Sequence, residues 1–114
     1  SKNATLYKDL VAEFSQVFQI EQPLIFAVME QESRFNPEAT SWVPAYGLMQ
    51  LVPKSGGLDA YNYVYRNTWA PTRSYLFVPR NNIELGTVYL PCSHESIFLC
   101  YRPALSQALC HCQL

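Results

Sequence analysis

A chain of 114 residues, 49% hydrophobic and 15% charged, has the makeup of one globular domain and is too apolar for a disordered segment. Eight Lys and Arg face nine Asp and Glu, and no basic run stands out; this excludes the electrostatic footprint of a nucleic-acid binder or a polybasic membrane anchor. No stretch approaches the roughly 20 apolar residues that span a bilayer, and no signal-peptide hydrophobic segment follows Ser1-Lys2-Asn3-Ala4, so export would need a signal placed elsewhere or already removed.

In chain order, Asn3 can cap a helix over residues 4–18, where Leu6, Tyr7, Leu10, Val11, Phe14, Val17 and Phe18 recur at helical spacing. Pro23 suits a first helical position, and the run Leu24-Ile25-Phe26-Ala27-Val28-Met29-Glu30-Gln31-Glu32-Ser33 predicts a deeply placed helix that stops before Asn36-Pro37. Residues 36–46 read as loop. Gly47-Leu48-Met49-Gln50-Leu51-Val52 predicts a short helix closed by Pro53, and residues 54–78 read as irregular and tyrosine-rich, with a turn at Ser55-Gly56-Gly57. A last helix opens near Asn82. No alternating strand or internal repeat is visible, so the expected class is mainly α.

Two carboxylates fall on the second helix. At about 100° per residue, Glu32 continues the stripe of Ile25, Val28 and Met29, whereas Glu30 points to nearly the opposite side. A carboxyl group at the end of an apolar stripe is expected to be desolvated, which favours its neutral form, the form a general acid needs. The competing account is an ion pair with Arg34 or Lys54, or a solvated helix end.

The run Gln31-Glu32-Ser33-Arg34-Phe35-Asn36-Pro37-Glu38-Ala39 resembles the Glu-Ser motif of lytic transglycosylases of the soluble (SLT) type, whose catalytic domain is lysozyme-like. Gly47-Leu48-Met49-Gln50 resembles the second motif of that family, and Asn82-Ile83-Glu84-Leu85-Gly86-Thr87-Val88-Tyr89-Leu90 the third. Ala70-Pro71-Thr72-Arg73-Ser74-Tyr75-Leu76-Phe77 is similar to the intervening segment of the membrane-bound lytic murein transglycosylase C branch.

The resemblance implies a goose-type/SLT lysozyme-like fold over residues 1–90 and cleavage of peptidoglycan glycan strands. Glu32 would be the sole acid/base, protonating the glycosidic oxygen between N-acetylmuramic acid and N-acetylglucosamine. The muramic acid 6-hydroxyl would then close on C1 to give a 1,6-anhydro end. Ordinary glycosidases need a second carboxylate, and none is evident here. Ser33 would orient the reacting sugar, or bond back to the main chain as helix-end hydroxyls do. Met49 and Gln50 would touch the glycan, with core packing and a solvated amide as their other readings. Tyr89 would reach the site from the last helix or be a buried structural tyrosine. Tyr61, Tyr63 and Tyr65 suit stacking on sugars and suit packing of a long loop equally well. The resemblance implies no cofactor and no metal. Its setting is the periplasm, with a possible outer-membrane tether upstream.

After Leu90 the likeness ends. In the family the helix continues, and a further helix carries an Ala-Tyr-Asn motif whose tyrosine supports the acid; nothing in residues 91–114 matches it. Pro91 is expected to end or kink the helix. All four cysteines (Cys92, Cys100, Cys110, Cys112) and both histidines (His94, His111) lie in this tail. Three accounts stand: an out-of-frame or foreign segment, a natural truncated form, or a metal site from Cys92, His94, Cys110, His111 and Cys112. The spacings are cramped for zinc, and disulfides are open with three possible pairings. Two other functions compete with the transglycosylase: a non-catalytic peptidoglycan-binding module or inactive fragment, and plain hydrolysis by a relative of goose-type lysozyme.

Overall fold

The first apolar stripe folds as two helices, not one. α1 (Lys2–Leu6) and α2 (Lys8–Phe18) meet at Tyr7, whose φ of −111° and ψ of 6° leave helical geometry. Asn3 therefore sits inside α1 instead of capping it. Tyr7, Val11 and Phe14 are buried, with Phe18 partly so, while Leu6 and Val17 are exposed. At 100° per residue those two lie roughly 90–110° from the centre of the stripe, on its solvent flank.

The computed structural model of the chain describes residues 2–93, which are mainly α, with no strand among them and two isolated bridges, Thr40–Tyr46 and Tyr46–Leu51. α3 (Gln22–Ser33) begins with Pro23 in its first turn and buries Ile25, Val28 and Met29. It ends abruptly, because Arg34 (φ 53°) and Phe35 (φ 63°) are both left-handed. Two main-chain bonds close this end, Arg34 N to Glu30 O at 3.0 Å and Phe35 N to Met29 O at 3.4 Å.

Residues 47–52 do not form the expected helix. Gly47 at φ +83° and Gln50 at φ 52° fold residues 47–50 into a tight turn. Tyr46 and Leu51 close it by exchanging main-chain bonds of 2.9 and 3.1 Å. Six apolar-rich residues are too few for helical periodicity to outweigh two left-handed positions. Pro53, expected to close a helix, instead opens a π-helical turn (Pro53–Gly57) that runs into α4 (Leu58–Tyr65). α5 (Arg73–Leu76) follows, capped by Thr72, whose Oγ1 accepts from Tyr75 N at 3.1 Å. The segment expected to be irregular is thus largely helical. Half of the six non-polar positions of α4 are tyrosines (Tyr61, Tyr63 and Tyr65), so its stripe does not show as an aliphatic repeat.

α6 (Pro79–Ser93) starts three residues before Asn82 and does not stop at Pro91. A proline two residues from the helix end removes only its own bond to the preceding turn. α6 organises the packing. Ile83 and Leu90 join Val11, Phe14, Ile25, Val28 and Met29 in one core, and Leu85 and Val88 join Leu51, Ala60 and Leu76 in a second. At the surface Arg80 makes bonds of 3.0 and 2.7 Å to Glu13, linking α6 to α2. Among the described residues no helix is long and apolar enough to cross a membrane.

Candidate active site

A cleft of about 210 Å³ opens where α3, the 47–50 turn, the π-helical turn and α6 converge. α3 contributes Val28 and Glu32; the segment after Tyr46 contributes Met49, Gln50, Leu51 and Val52; the π-helical turn contributes Ser55 and Gly56; α6 contributes Gly86, Tyr89 and Leu90. Four of the five residues singled out in the sequence, Glu32, Met49, Gln50 and Tyr89, line this one opening. Ser33 does not.

Asn82, outside the lining, holds two of the elements that form the cleft. Its side chain is fully buried, accepts from Met49 N at 2.7 Å, and donates Nδ2 to Tyr46 O at 2.9 Å and Leu76 O at 2.8 Å. The bonds to Met49 and Tyr46 tie the 47–50 turn to α6 across more than 30 residues of sequence. Two glycines allow the approach. A Cβ on Gly47 would fall on Asn82 Nδ2 and the Leu76 carbonyl, and one on Gly86 would meet Met49 Sδ and lie 2.8 Å from Met49 Cβ. Gly47 also needs its left-handed φ, which side chains disfavour.

The remaining walls follow from this frame. The Tyr89 ring lies over Gly56, where a Cβ would come within 2.8 Å of it, and burial followed by the Asp59 charge raises the Tyr89 phenol above its ordinary value. Ser33 Oγ is engaged by two main-chain carbonyls, Leu48 O at 2.7 Å and Met29 O at 3.0 Å, and so clamps the end of α3 to the turn. Gln50 is half-buried and donates Nε2 to Ala39 O and Gly47 O, each at 3.0 Å. Met49 is buried except where it meets the cleft.

Glu32 lies at the rim. Its side chain is exposed, so the described residues do not enclose it as the apolar stripe led one to expect. The stripe fixes the direction in which the carboxyl points, but a second element must cover it for desolvation to follow. Neither expected ion pair forms, and among the described residues Glu32 has no hydrogen-bond or ion-pair partner. Glu30 lines a different depression, with Asn3, Gln31, Arg34 and Phe35. Glu32 is thus the one carboxylate in the cleft lining among the described residues.

The sequence profile of the Transglycosylase SLT domain matches residues 9–98. The chain belongs to that family. It is 47% identical over 90 residues to membrane-bound lytic murein transglycosylase C of Sodalis glossinidius, covering 78% of this chain and 25% of that protein. It is 46% identical over 90 residues to the protein of the same name from Serratia proteamaculans, again covering 78% and 25%. The chain therefore spans about a quarter of the length of the curated relatives it matches.

In this SLT domain the tripeptide Ala-Tyr-Asn does occur, but at residues 60–62 on α4 and not after α6. There Ala60 is buried and Tyr61 packs on Tyr65, Trp69 and Tyr75 with ring centroids 4.7, 4.9 and 6.0 Å apart, outside the cleft lining. Tyr63 carries Arg66 over its ring at 5.9 Å, and Tyr65 donates to Glu84 at 2.5 Å. The three tyrosines considered for sugar stacking thus lie in or beside an aromatic layer on α4. Among the described residues no three His, Cys, Asp or Glu side chains come together as a metal site requires. The side chains of Cys92, His94, Cys100, Cys110, His111 and Cys112 lie outside the described residues, as do the readings placed on them. Asn82 is the residue that sequence reasoning missed. Its signals in the sequence are its place at the head of the third motif and an amide in a register otherwise filled by Ile83, Leu85 and Leu90.

Proposed function

We propose that this domain cleaves the β-1,4 bond between N-acetylmuramic acid and N-acetylglucosamine as a lytic transglycosylase, with Glu32 as its acid/base. One observation carries the reading: in a chain of this family, one carboxylate, unpartnered among the described residues, stands at the rim of a cleft lined by residues of all three motifs. Protonated Glu32 donates its proton to the glycosidic oxygen as the C1–O4 bond breaks. The muramic acid 6-hydroxyl oxygen bonds to C1 and returns its proton to the carboxylate. No water is consumed and Glu32 ends as it began. An intramolecular nucleophile already held near C1 supplies the proximity that a second carboxylate and a bound water supply in hydrolases. Met49, Gln50 and Tyr89 would contact the sugar, while Ser33 and Asn82 hold the elements that carry them. The names of the relatives favour a periplasmic, membrane-associated setting, with the tether outside this segment.

The test is digestion of purified peptidoglycan by this chain and by its Glu32→Gln variant, with products read by mass. Release of 1,6-anhydromuropeptides by the parent alone is expected. Reducing-end products 18 Da heavier, the mass of a water, would replace this reading with hydrolysis. No product from the parent, with retention on insoluble peptidoglycan, would leave a binding module.

A further inference from the structure

We propose that Trp42 forms an outer sugar-binding platform for the glycan strand that passes through the Glu32 cleft, an inference that rests on the glycan-cleaving reading above. The chain has two tryptophans, and they are used in opposite ways. Trp69 packs into the aromatic layer, 4.9 Å from the Tyr61 ring and 5.1 Å from that of Tyr75. Trp42 is 94% exposed and is followed by Val43, also exposed. A lone aliphatic on a surface needs no explanation, but an indole held almost wholly in water is far from the usual state of tryptophan.

The backbone beneath it is fixed. Ser41 N donates to Ala45 O at 3.0 Å and Ala45 N donates to Ser41 Oγ at 3.1 Å, closing the loop on both sides of Trp42. Below that, Thr40 pairs with Tyr46 and Tyr46 with Leu51, and the Tyr46 ring packs edge-on against Phe77 at 5.8 Å. The loop is also joined to the cleft wall. Gly47 N donates to Ala39 O at 2.8 Å, and the same carbonyl receives the Gln50 amide, which lines the cleft. Trp42 follows Ala39 by three residues, so its Cα lies no more than roughly 11 Å from that anchor.

The chemistry of the loop selects the ligand. Residues 39–46 (Ala, Thr, Ser, Trp, Val, Pro, Ala, Tyr) carry no charge, which disfavours an anionic lipid headgroup or an acidic peptide. An indole offers a flat apolar face for the C–H face of a pyranose ring, and an Nε1–H for a hydroxyl or acetamido oxygen. With two side-chain torsions on a pinned loop, it loses little freedom on binding. A neutral N-acetylhexosamine ring outside the reacting pair fits these features.

The experiment uses the full chain carrying Glu32→Gln, so that binding is read without turnover. Adding Trp42→Ala is expected to weaken retention on insoluble peptidoglycan about tenfold, the scale of one well-placed aromatic contact, with Trp42→Phe recovering most of it. Because the side chain is exposed, the urea midpoint should not move. With Trp69→Phe, Trp42 is the only tryptophan, and its emission, excited beyond the tyrosine band, should shift on titration with N-acetylglucosamine tetramer. Unchanged retention of Trp42→Ala, or an emission that ignores the tetramer, overturns the proposal. So does a loss of retention matched only by lost binding to phosphatidylethanolamine–phosphatidylglycerol vesicles, which would make the loop a membrane contact. The two readings fail separately: emission that responds while the chain with Glu32 intact releases no glycan products sinks the cleavage reading, and product release by that chain with a silent Trp42 sinks the platform.

Discussion

Replacing Asn82 with alanine should destabilise the domain by untying the 47–50 turn from α6. The side chain is fully buried and makes three hydrogen bonds of 2.7–2.9 Å. Tyr46 O keeps a second partner, Leu51 N at 3.1 Å, so its loss is small. Met49 N has no such substitute, and a buried N–H left unpaired costs about 1–3 kcal/mol. The bond to Leu76 O adds about 1 kcal/mol. The sum, about 2–4 kcal/mol, is a large fraction of the roughly 5–15 kcal/mol by which domains are stable. Urea unfolding should show a lower midpoint at unchanged slope, and the melting temperature should fall by at least about 8 °C, at roughly 4–8 °C per kcal/mol. Asn82→Asp separates the bonds from the cavity. It keeps an acceptor for Met49 N but turns a carboxylate oxygen towards two carbonyls. That environment raises the carboxyl's folded-state pKa above its unfolded one. The variant's stability is then fully present below the unfolded value and lost as pH rises through the folded one. A loss below about 1 kcal/mol for Asn82→Ala, or an Asn82→Asp variant no more stable in acid than at neutrality, would refute the assignment of Asn82 as the tie between turn and helix.

Gly86→Ala should destabilise despite the helix propensity of alanine: a gain of about 1 kcal/mol is outweighed by overpacking worth about 1–3 kcal/mol against Met49 Cβ and Sδ, and by thermal melting the double variant with Met49→Ala, which removes Sδ and keeps Cβ, should lose less than the sum of the two single losses. For the Glu13–Arg80 pair, the guanidinium holds the Glu13 carboxyl below its ordinary value. The linked stability is present above the usual carboxylate range and is lost as pH falls through the lowered value. Glu13→Gln should flatten that part of the acid limb, and because the pair is exposed, salt should shrink the difference.

The helices that carry an aliphatic stripe were legible in the sequence, as were the residues on their inner faces. Val11, Phe14, Ile25, Val28 and Met29 are buried where the 3.6-residue period puts them. The failures have physical causes. The turn at residues 47–50 has helix-like composition, and its shape is decided by the signs of two φ angles that composition does not carry. α4 was hidden because Gly56-Gly57 reads as a turn, whereas Gly57 is helical (φ −61°, ψ −47°) and Gly56 lacks a Cβ to make room for Tyr89. Asn82 acts on partners 33 and 36 residues away, which no local pattern encodes. For Glu32 the azimuth was readable and the depth was not, because depth depends on what other elements cover.

Around the cleft, residues outside its lining are tightly held. Arg34 and Phe35 follow Glu32-Ser33 directly and are both left-handed, a conformation that costs a non-glycine residue about 1–2 kcal/mol. Two in succession persist only where the surroundings over-determine them. Here Phe35 is buried in the main core, and Ser33 Oγ reaches Leu48 O at 2.7 Å. The helix therefore ends at one residue and not a turn later, which leaves Glu32 at the rim instead of continuing the wall. The turn that receives Ser33 is in turn held by Asn82 and by the space at Gly47 and Gly86. The Glu32 carboxylate has no partner among the described residues, and its position is set instead by the left-handed helix end, the Ser33 bond to Leu48 O and the Asn82 bonds that hold the turn.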